Sequence, residues 1–132
     1  NGVQISGCWA NFGAPGADHI AHRHVNNYLS GVYYVNAPPG GNAITFYDPR
    51  ALFDQISPRF KKVNSHNSME HTVNVHSGQL LMFPAWLTHS VPANSSDEIR
   101  ISISFNLIFS QFSDQVAPPQ WSGVPYKKTT SA

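Results

Sequence analysis

Arg100-Ile101-Ser102-Ile103-Ser104-Phe105-Asn106 alternates without a break. Side chains of a strand point to opposite faces with a period of two. Ile99, Ile101, Ile103 and Phe105 therefore share one face, and Arg100, Ser102, Ser104 and Asn106 share the other. The stretch reads as a strand of an antiparallel sheet with one apolar and one polar face. Two readings of the polar row stand at this point. It is the wet face of the sheet, or it is a row of hydrogen-bonding groups, headed by a guanidinium, that faces a site. Just upstream, His89-Ser90-Val91 reads as a second arm, with Pro92 to Glu98 closing a hairpin. With Val91 opposite Ile99, Arg100 would lie beside Ser90 and one position from His89.

Similar segments recur toward the N-terminus. Val3 to Phe12 alternates loosely, and Tyr28 to Val35 is rich in aromatic and β-branched residues. Ala43 to Tyr47 stops at Asp48-Pro49-Arg50. Thr72 to Val75 is followed by a turn at Ser77-Gly78, and Gln79 to Phe83 ends at Pro84. Gly13 to Asp18 and Asn36 to Asn42 are Gly/Pro turns between them. Ala51 to Ser57 fits one helical turn. Pro58 to His71 has few apolar residues and no period, and reads as a loop that could close over a site. Many short strands and no long amphipathic helix give an all-β domain, a small barrel. It is expected over residues 1–110, with 111–132 as a loosely ordered tail anchored, if at all, by Trp121 and Tyr126.

The chain has 132 residues, about one domain. Only 11% of them are charged, about half the usual share, which suits a compact β domain. The net charge of +1 leaves no basic footprint for nucleic acid. No apolar run approaches the ~20 residues of a membrane span. Neither partner is expected. Cys8 is the only cysteine, so an intrachain disulfide is ruled out and nothing demands an oxidising compartment. No signal-peptide pattern opens the chain. Its first residue is Asn1 and not Met, so a preceding part stays open, and a cytoplasmic location is expected only because nothing points elsewhere.

The histidines carry the chemistry. His22-Arg23-His24 places two imidazoles on one side of an extended strand. If the segment stays extended, His22, His24, Asn26, Tyr28, Ser30, Val32 and Tyr34 share that face. His89 follows Phe83-Pro84-Ala85-Trp86, which should leave a strand end at a fixed angle. Three imidazoles suit iron, copper, zinc or nickel. The plainer reading is that these are hydrogen-bonded or surface histidines, since a chain with seven of them holds chance pairs. His19, His66, His71 and His76 have no matching spacing and are read as ordinary. Arg100 offers a forked partner for a carboxylate, and Ser102 could donate to the same anion.

His22-x-His24, His89 and Arg100-x-Ser102 together resemble the iron(II)- and 2-oxoglutarate-dependent oxygenases. Val32-Tyr33-Tyr34-Val35-Asn36 is similar to a strand of prolyl hydroxylases, and Gly78 to Pro84 to the strand leading to their distal histidine. The whole set is closest to a bacterial and phage family of 2-oxoglutarate/iron(II) oxygenases. It includes Leu29-Ser30-Gly31-Val32-Tyr33-Tyr34-Val35, Asp48-Pro49-Arg50, Phe83-Pro84-x-Trp86-Leu87-x-His89 and Arg100-Ile101-Ser102-Ile103-x-Phe105-Asn106. The likeness runs from about Trp9 to Phe109.

The resemblance implies a double-stranded β-helix, or jelly roll, in which His22, His24 and His89 bind Fe(II). Arg100 would hold the distal carboxylate of 2-oxoglutarate, with Ser102 and Tyr34 assisting. O2 would be the oxidant, decarboxylation of 2-oxoglutarate to succinate would be coupled to substrate oxidation, and the expected reaction is hydroxylation of a small molecule or a peptidyl side chain. Most of the wider superfamily carries a carboxylate where His24 stands. Asp18 and Asp48 are the nearest carboxylates in sequence, and neither has the expected spacing. Gly16-x5-His22-x-His24 and Gly78-x5-Pro84 before His89 also resemble the two cupin motifs. A cupin-type metal-dependent dioxygenase would keep the fold and the three histidines but give Arg100-x-Ser102 no task. A metal-free jelly-roll binding module would not need the histidines to converge.

Overall fold

In a computed structural model, residues 2–50, 56 and 58–112 are described. They form a sandwich of two four-stranded antiparallel sheets. The strands are β1 (Val3–Gly13), β2 (His19–His22), β3 (Leu29–Asn36), β4 (Ala43–Tyr47), β5 (Glu70–Asn74), β6 (Leu80–Pro84), β7 (His89–Val91) and β8 (Arg100–Phe109), and a short 3-10 helix, Ser110–Phe112, follows. One sheet runs β1-β8-β3-β6 and the other β2-β7-β4-β5. The chain changes sheet at every connection except that from β4 to β5. This is the jelly roll, a double-stranded β-helix. Among the described residues, no helix is long and apolar enough to cross a membrane.

The space between the sheets divides in two. Where β3 and β6 meet β4 and β5, it is filled. Tyr34, Ile44, Val75 and Phe83 are buried there, with Val32, Phe46, Val73 and Leu81 packed around them. Phe46 and Phe83 meet edge to face at 5.0 Å, the arrangement their ring quadrupoles favour. Ile44 is 1% exposed, and burying such a side chain stabilises by about 1.5–3 kcal/mol. Where β1 and β8 meet β2 and β7, the space is a cavity, and Tyr34, Ile44 and Phe83 form the wall between it and the packed part.

The deciding strand turns its polar row inward. Arg100, Ser102 and Asn106 are buried, whereas Ile103 is 37% exposed. The adjoining strands continue the outer apolar row: Ile103 lies between Ala10 and Tyr33, and Tyr33 lies beside Leu80. The polar row is therefore not a wet face. Alternation decides which residues share a face, while the partner sheet decides which face is covered.

The expected hairpin does not form. β7 pairs with β2 and β4 in one sheet, and β8 pairs with β1 and β3 in the other. Val91 lies opposite His19, and Arg100 lies opposite Gly13. The connection between β7 and β8 is a crossing held by Asn94, a fully buried side chain. Its amide donates to the carbonyls of Gly13 (3.0 Å) and Glu98 (2.7 Å), and its Oδ1 accepts from Ser96. Its backbone bonds to Ala17 and Gly16. These bonds tie the segment to the turn after β1 instead of letting it fold back on β7.

Three smaller differences follow from pairing. Glu70 and His71 belong to β5 because Tyr47 and Phe46 pair with them. The described part of the expected closing loop, residues 58–69, contributes nothing to the cavity wall; Ser65 and Ser68 line a separate cleft near Asp48. The chain also does not stay extended after His22. It turns at Asn26, whose φ is 60°, so Asn26 and Tyr28 leave the shared face while His24, Ser30, Val32 and Tyr34 keep it. Apart from Ile56, the helical turn expected at Ala51 to Ser57 lies outside the described residues. So do Trp121 and Tyr126 of the expected tail.

Candidate metal centre

Two of the three histidines face each other across a strand pair: His22 of β2 is the register partner of His89 of β7. Their rings are 4.4 Å apart between centroids. His24 sits just past the end of β2, where its backbone N–H donates to the Ala85 carbonyl at 2.9 Å. That bond folds the turn back over the Phe83-Pro84-Ala85 corner and brings the His24 ring within 5.2 Å of His22 and 5.3 Å of His89. One ligand atom from each of the three lies within 4.8 Å of the others. No other such group of His, Cys, Asp or Glu occurs among the described residues. Asp48 pairs with Arg50 instead, and Asp18 is not in the cluster.

Two of the imidazoles, those of His24 and His89, are held neutral. Burial, opposed by the hydrogen bond to the Leu87 carbonyl, holds the His89 pKa down to about 4. Burial, with the neighbouring His89 and His22, brings His24 to about 4 as well. His22 Nδ1–H donates to the Ile20 carbonyl at 2.7 Å, and His89 Nδ1–H to the Leu87 carbonyl at 2.9 Å. With Nδ1 as the proton-bearing nitrogen, Nε2 carries the lone pair. The outer hydrogen bond thus sets both tautomer and ring direction, as second partners do in metal sites.

Across the cavity, Arg100 is 6% exposed. Its guanidinium lies over Gly13 so closely that a Cβ there would come to 3.1 Å from Nη2. Its Nη1 is buried and has no hydrogen-bond partner among the described residues. A buried N–H without a partner is unfavourable by about 1–3 kcal/mol, and more for a charged group. It therefore calls for an anion. Burial lowers the Arg100 pKa and the neighbouring Tyr34 acts against that. The Tyr34 pKa is pushed up to about 12 by burial, against the influence of Arg100, so its phenol keeps a proton to donate. Asn11 donates to Ser102 Oγ at 3.4 Å and to Ser104 Oγ at 2.9 Å, leaving the Ser102 hydroxyl hydrogen able to turn toward the cavity.

The cavity holds about 160 Å³. A water needs about 10–15 Å³ of such space, so there is room for a small diacid. Its wall contains all three histidines, Arg100, Ser102 and Tyr34. Every candidate residue read from the sequence therefore lines one space. Trp9, Asn11, His19, Ile20, Ser30 and Asn106 line it too and were not singled out. His19 had been read as ordinary, yet it stands opposite Val91 with its ring 6.0 Å from His22. Burial lowers its pKa, with His22 and Arg100 adding to the effect. Parity with Arg100 was the available signal for Asn106 and parity with His22 and Tyr34 that for Ser30, while the rest come in through strand register.

Solved structures with the same fold include a Pseudomonas putida prolyl-4-hydroxylase. It is 19% identical with a TM-score of 0.53, and the match covers 75% of this chain and 50% of that one. The alpha ketoglutarate-dependent carbocyclase SnoK from nogalamycin biosynthesis is 12% identical with a TM-score of 0.59, covering 96% and 60%. The epimerase SnoN, solved with Fe3+, alpha ketoglutarate and nogalamycin RO, is 16% identical with a TM-score of 0.59, covering 96% and 63%. The chain thus spans between half and two thirds of the length of these structures. No curated protein matches the sequence. Residues 7–106 match the family model described as "Putative 2OG-Fe(II) oxygenase", and the chain belongs to that family.

Proposed function

We propose that this chain is an iron(II)- and 2-oxoglutarate-dependent oxygenase, with His22, His24 and His89 as metal ligands. Arg100, aided by Ser102 and Tyr34, would bind the distal carboxylate of 2-oxoglutarate. One observation carries the reading. Three imidazoles with ligand atoms within 4.8 Å of one another share a cavity with a buried guanidinium that lacks a partner among the described residues. The donors fit the group: neutral imidazoles suit a divalent first-row metal, and a guanidinium suits a carboxylate. A cupin-type site or a metal-free binding module has no use for that guanidinium.

When bound, iron and 2-oxoglutarate with O2 supply the oxidising chemistry, in which 2-oxoglutarate becomes succinate and CO2. The chain does the rest. Burial keeps His24 and His89 neutral near neutral pH, so neither would have to lose a net proton to bind a metal, and His89 already presents its Nε2 lone pair. Arg100 fixes the far end of the cosubstrate by a forked, charge-assisted pair. Tyr34 stays protonated and so donates a hydrogen bond instead of adding negative charge. Ile44 and Phe83, on the cavity wall beside the packed half, exclude water from that side. Ile20 is 81% exposed while also lining the cavity, so the substrate would enter past His19 and Ile20. A neutral imidazole at His24 makes the centre more positive by one charge than a carboxylate would.

The reaction we assign is hydroxylation, of a small molecule or a peptidyl side chain. The test is calorimetric titration of 2-oxoglutarate into Fe(II)-loaded protein without O2, followed by O2 and mass spectrometry for succinate. Binding below millimolar concentration and formation of succinate are expected. Absence of binding at millimolar 2-oxoglutarate would end the proposal.

A further inference from the structure

Each of the three imidazoles has a partner at Nδ1, and one partner differs from the other two. At His22 and His89 it is a backbone carbonyl, from Ile20 and Leu87. At His24 it is the side-chain amide of Asn106, with Nδ2 3.4 Å from Nδ1. Asn106 is 0% exposed, two turns of the alternation beyond Ser102 on the inward row of β8. Its Oδ1 accepts from Ser30 Oγ at 2.8 Å.

An amide N–H that donates to Nδ1 leaves the proton of a neutral imidazole on Nε2. That tautomer has no Nε2 lone pair for a metal. A half-turn of the amide exchanges its oxygen and nitrogen in place. The oxygen then accepts from Nδ1–H, as the two carbonyls do at His22 and His89, and Nε2 carries the lone pair. Ser30 tolerates either orientation, because a hydroxyl both donates and accepts.

We infer that Asn106 is the positioning residue for His24: its amide oxygen accepts the Nδ1–H and so presents Nε2 to the metal. The inference rests on the reading of His24 as a ligand. It gives a chemical reason for a carboxamide at the most buried point of the polar row. Metal binding and the amide half-turn are then one coupled event, in which Asn106 acts through His24.

The test uses the full chain and Zn2+ as a redox-inert probe. Zn2+ affinity is measured by competition with a chromophoric chelator for wild type, Asn106→Leu and Asn106→Asp. Leu fills the space without an acceptor, whereas Asp keeps an oxygen at the same place. Loss of an outer partner weakens metal binding by about 10–100-fold. That loss is expected for Leu, with Asp within a few-fold of wild type. 15N spectra of the Zn2+-loaded wild type should show His24 protonated at Nδ1 and metallated at Nε2, a readout that stands even if Asn106→Leu does not fold. Wild-type affinity in a folded Asn106→Leu, an Asp variant as weak as Leu, or metallation at Nδ1 would each overturn the inference alone. A wild type that binds no Zn2+ would overturn the metal reading itself.

Discussion

The two halves of the interior are built on opposite principles. Between β3, β6, β4 and β5, aliphatic and aromatic side chains fill the space, and few polar atoms need a partner. Between β1, β8, β2 and β7, the same two sheets enclose three histidines, an arginine, serines and asparagines around a cavity. The difference teaches where stability and chemistry reside. Close packing in the first half holds the sheets at a fixed spacing. The second half can then keep groups that fill neither space nor hydrogen-bonding capacity, Arg100 Nη1 above all. A strained or unsatisfied site persists when its surroundings over-determine it.

Substitutions should separate the halves. The largest effect is expected from His89→Ala, which on the proposed function removes one of three ligands. Loss of a mere outer partner weakens binding by about 10–100-fold, so Zn2+ affinity should fall by more than ~100-fold in a competition assay. Affinity near that of wild type would remove His89 from the site. Ile44→Ala, in the packed half, should lower unfolding stability by about 2–5 kcal/mol in a urea titration. Metal affinity of the folded fraction should stay within a few-fold of wild type. A large loss of metal affinity from Ile44→Ala would show that the halves are not separable.

Arg100→Ala should weaken 2-oxoglutarate binding by roughly 10–100-fold, since a charge-assisted hydrogen bond contributes about 1.5–3 kcal/mol. Metal affinity should change little. Arg100→Lys should recover part of the loss, as it keeps the charge but not the fork. Equal binding by Lys and Arg, read by calorimetry, would argue against a forked contact.

The metal-free protein should also respond to pH. His24 and His89 are held at about 4 when folded, mainly by burial, against about 6.5 in an unfolded chain. Between those values the unfolded chain binds protons that the folded chain refuses. Stability should therefore decline as pH falls from 6.5 to 4 and be level above it. Thermal melts would report it: each 1 kcal/mol corresponds to about 4 °C in a domain of this size. A midpoint rising toward pH 4 would mean that these imidazoles are not held neutral.

Much of the fold was legible because alternation is local. Ala43 to Tyr47 was bounded correctly by its composition and by Asp48-Pro49, and the alternation from Arg100 to Asn106 lies in β8 as read. The residues that converge were found through type, spacing and the family resemblance, without any knowledge of pairing. What was not legible depends on the opposing sheet. Nothing in the sequence of β8 says that Ser102 and Asn106 face inward while Ile103 faces out. Nothing near His89 says that His22 is its neighbour across a ladder, or that Val91 meets His19 rather than Ile99. The closing turn was misread because a Pro92-to-Glu98 connection is compatible with return or with crossing. Asn94 decides for crossing through bonds to residues some eighty positions away.

That crossing has a consequence for what the cavity accepts. The segment that starts three residues after His89 ends two before Arg100, and Asn94 pins it to both the end of β1 and the Glu98 carbonyl. The backbone spacing between β7, which carries His89, and β8, which carries Arg100, is thus held like a gauge by this crossing. On the proposed function, a 2-oxo diacid one carbon shorter or longer would touch one jaw of the gauge and miss the other. Loosening the pin would then blur the choice of cosubstrate length before it unfolded the domain.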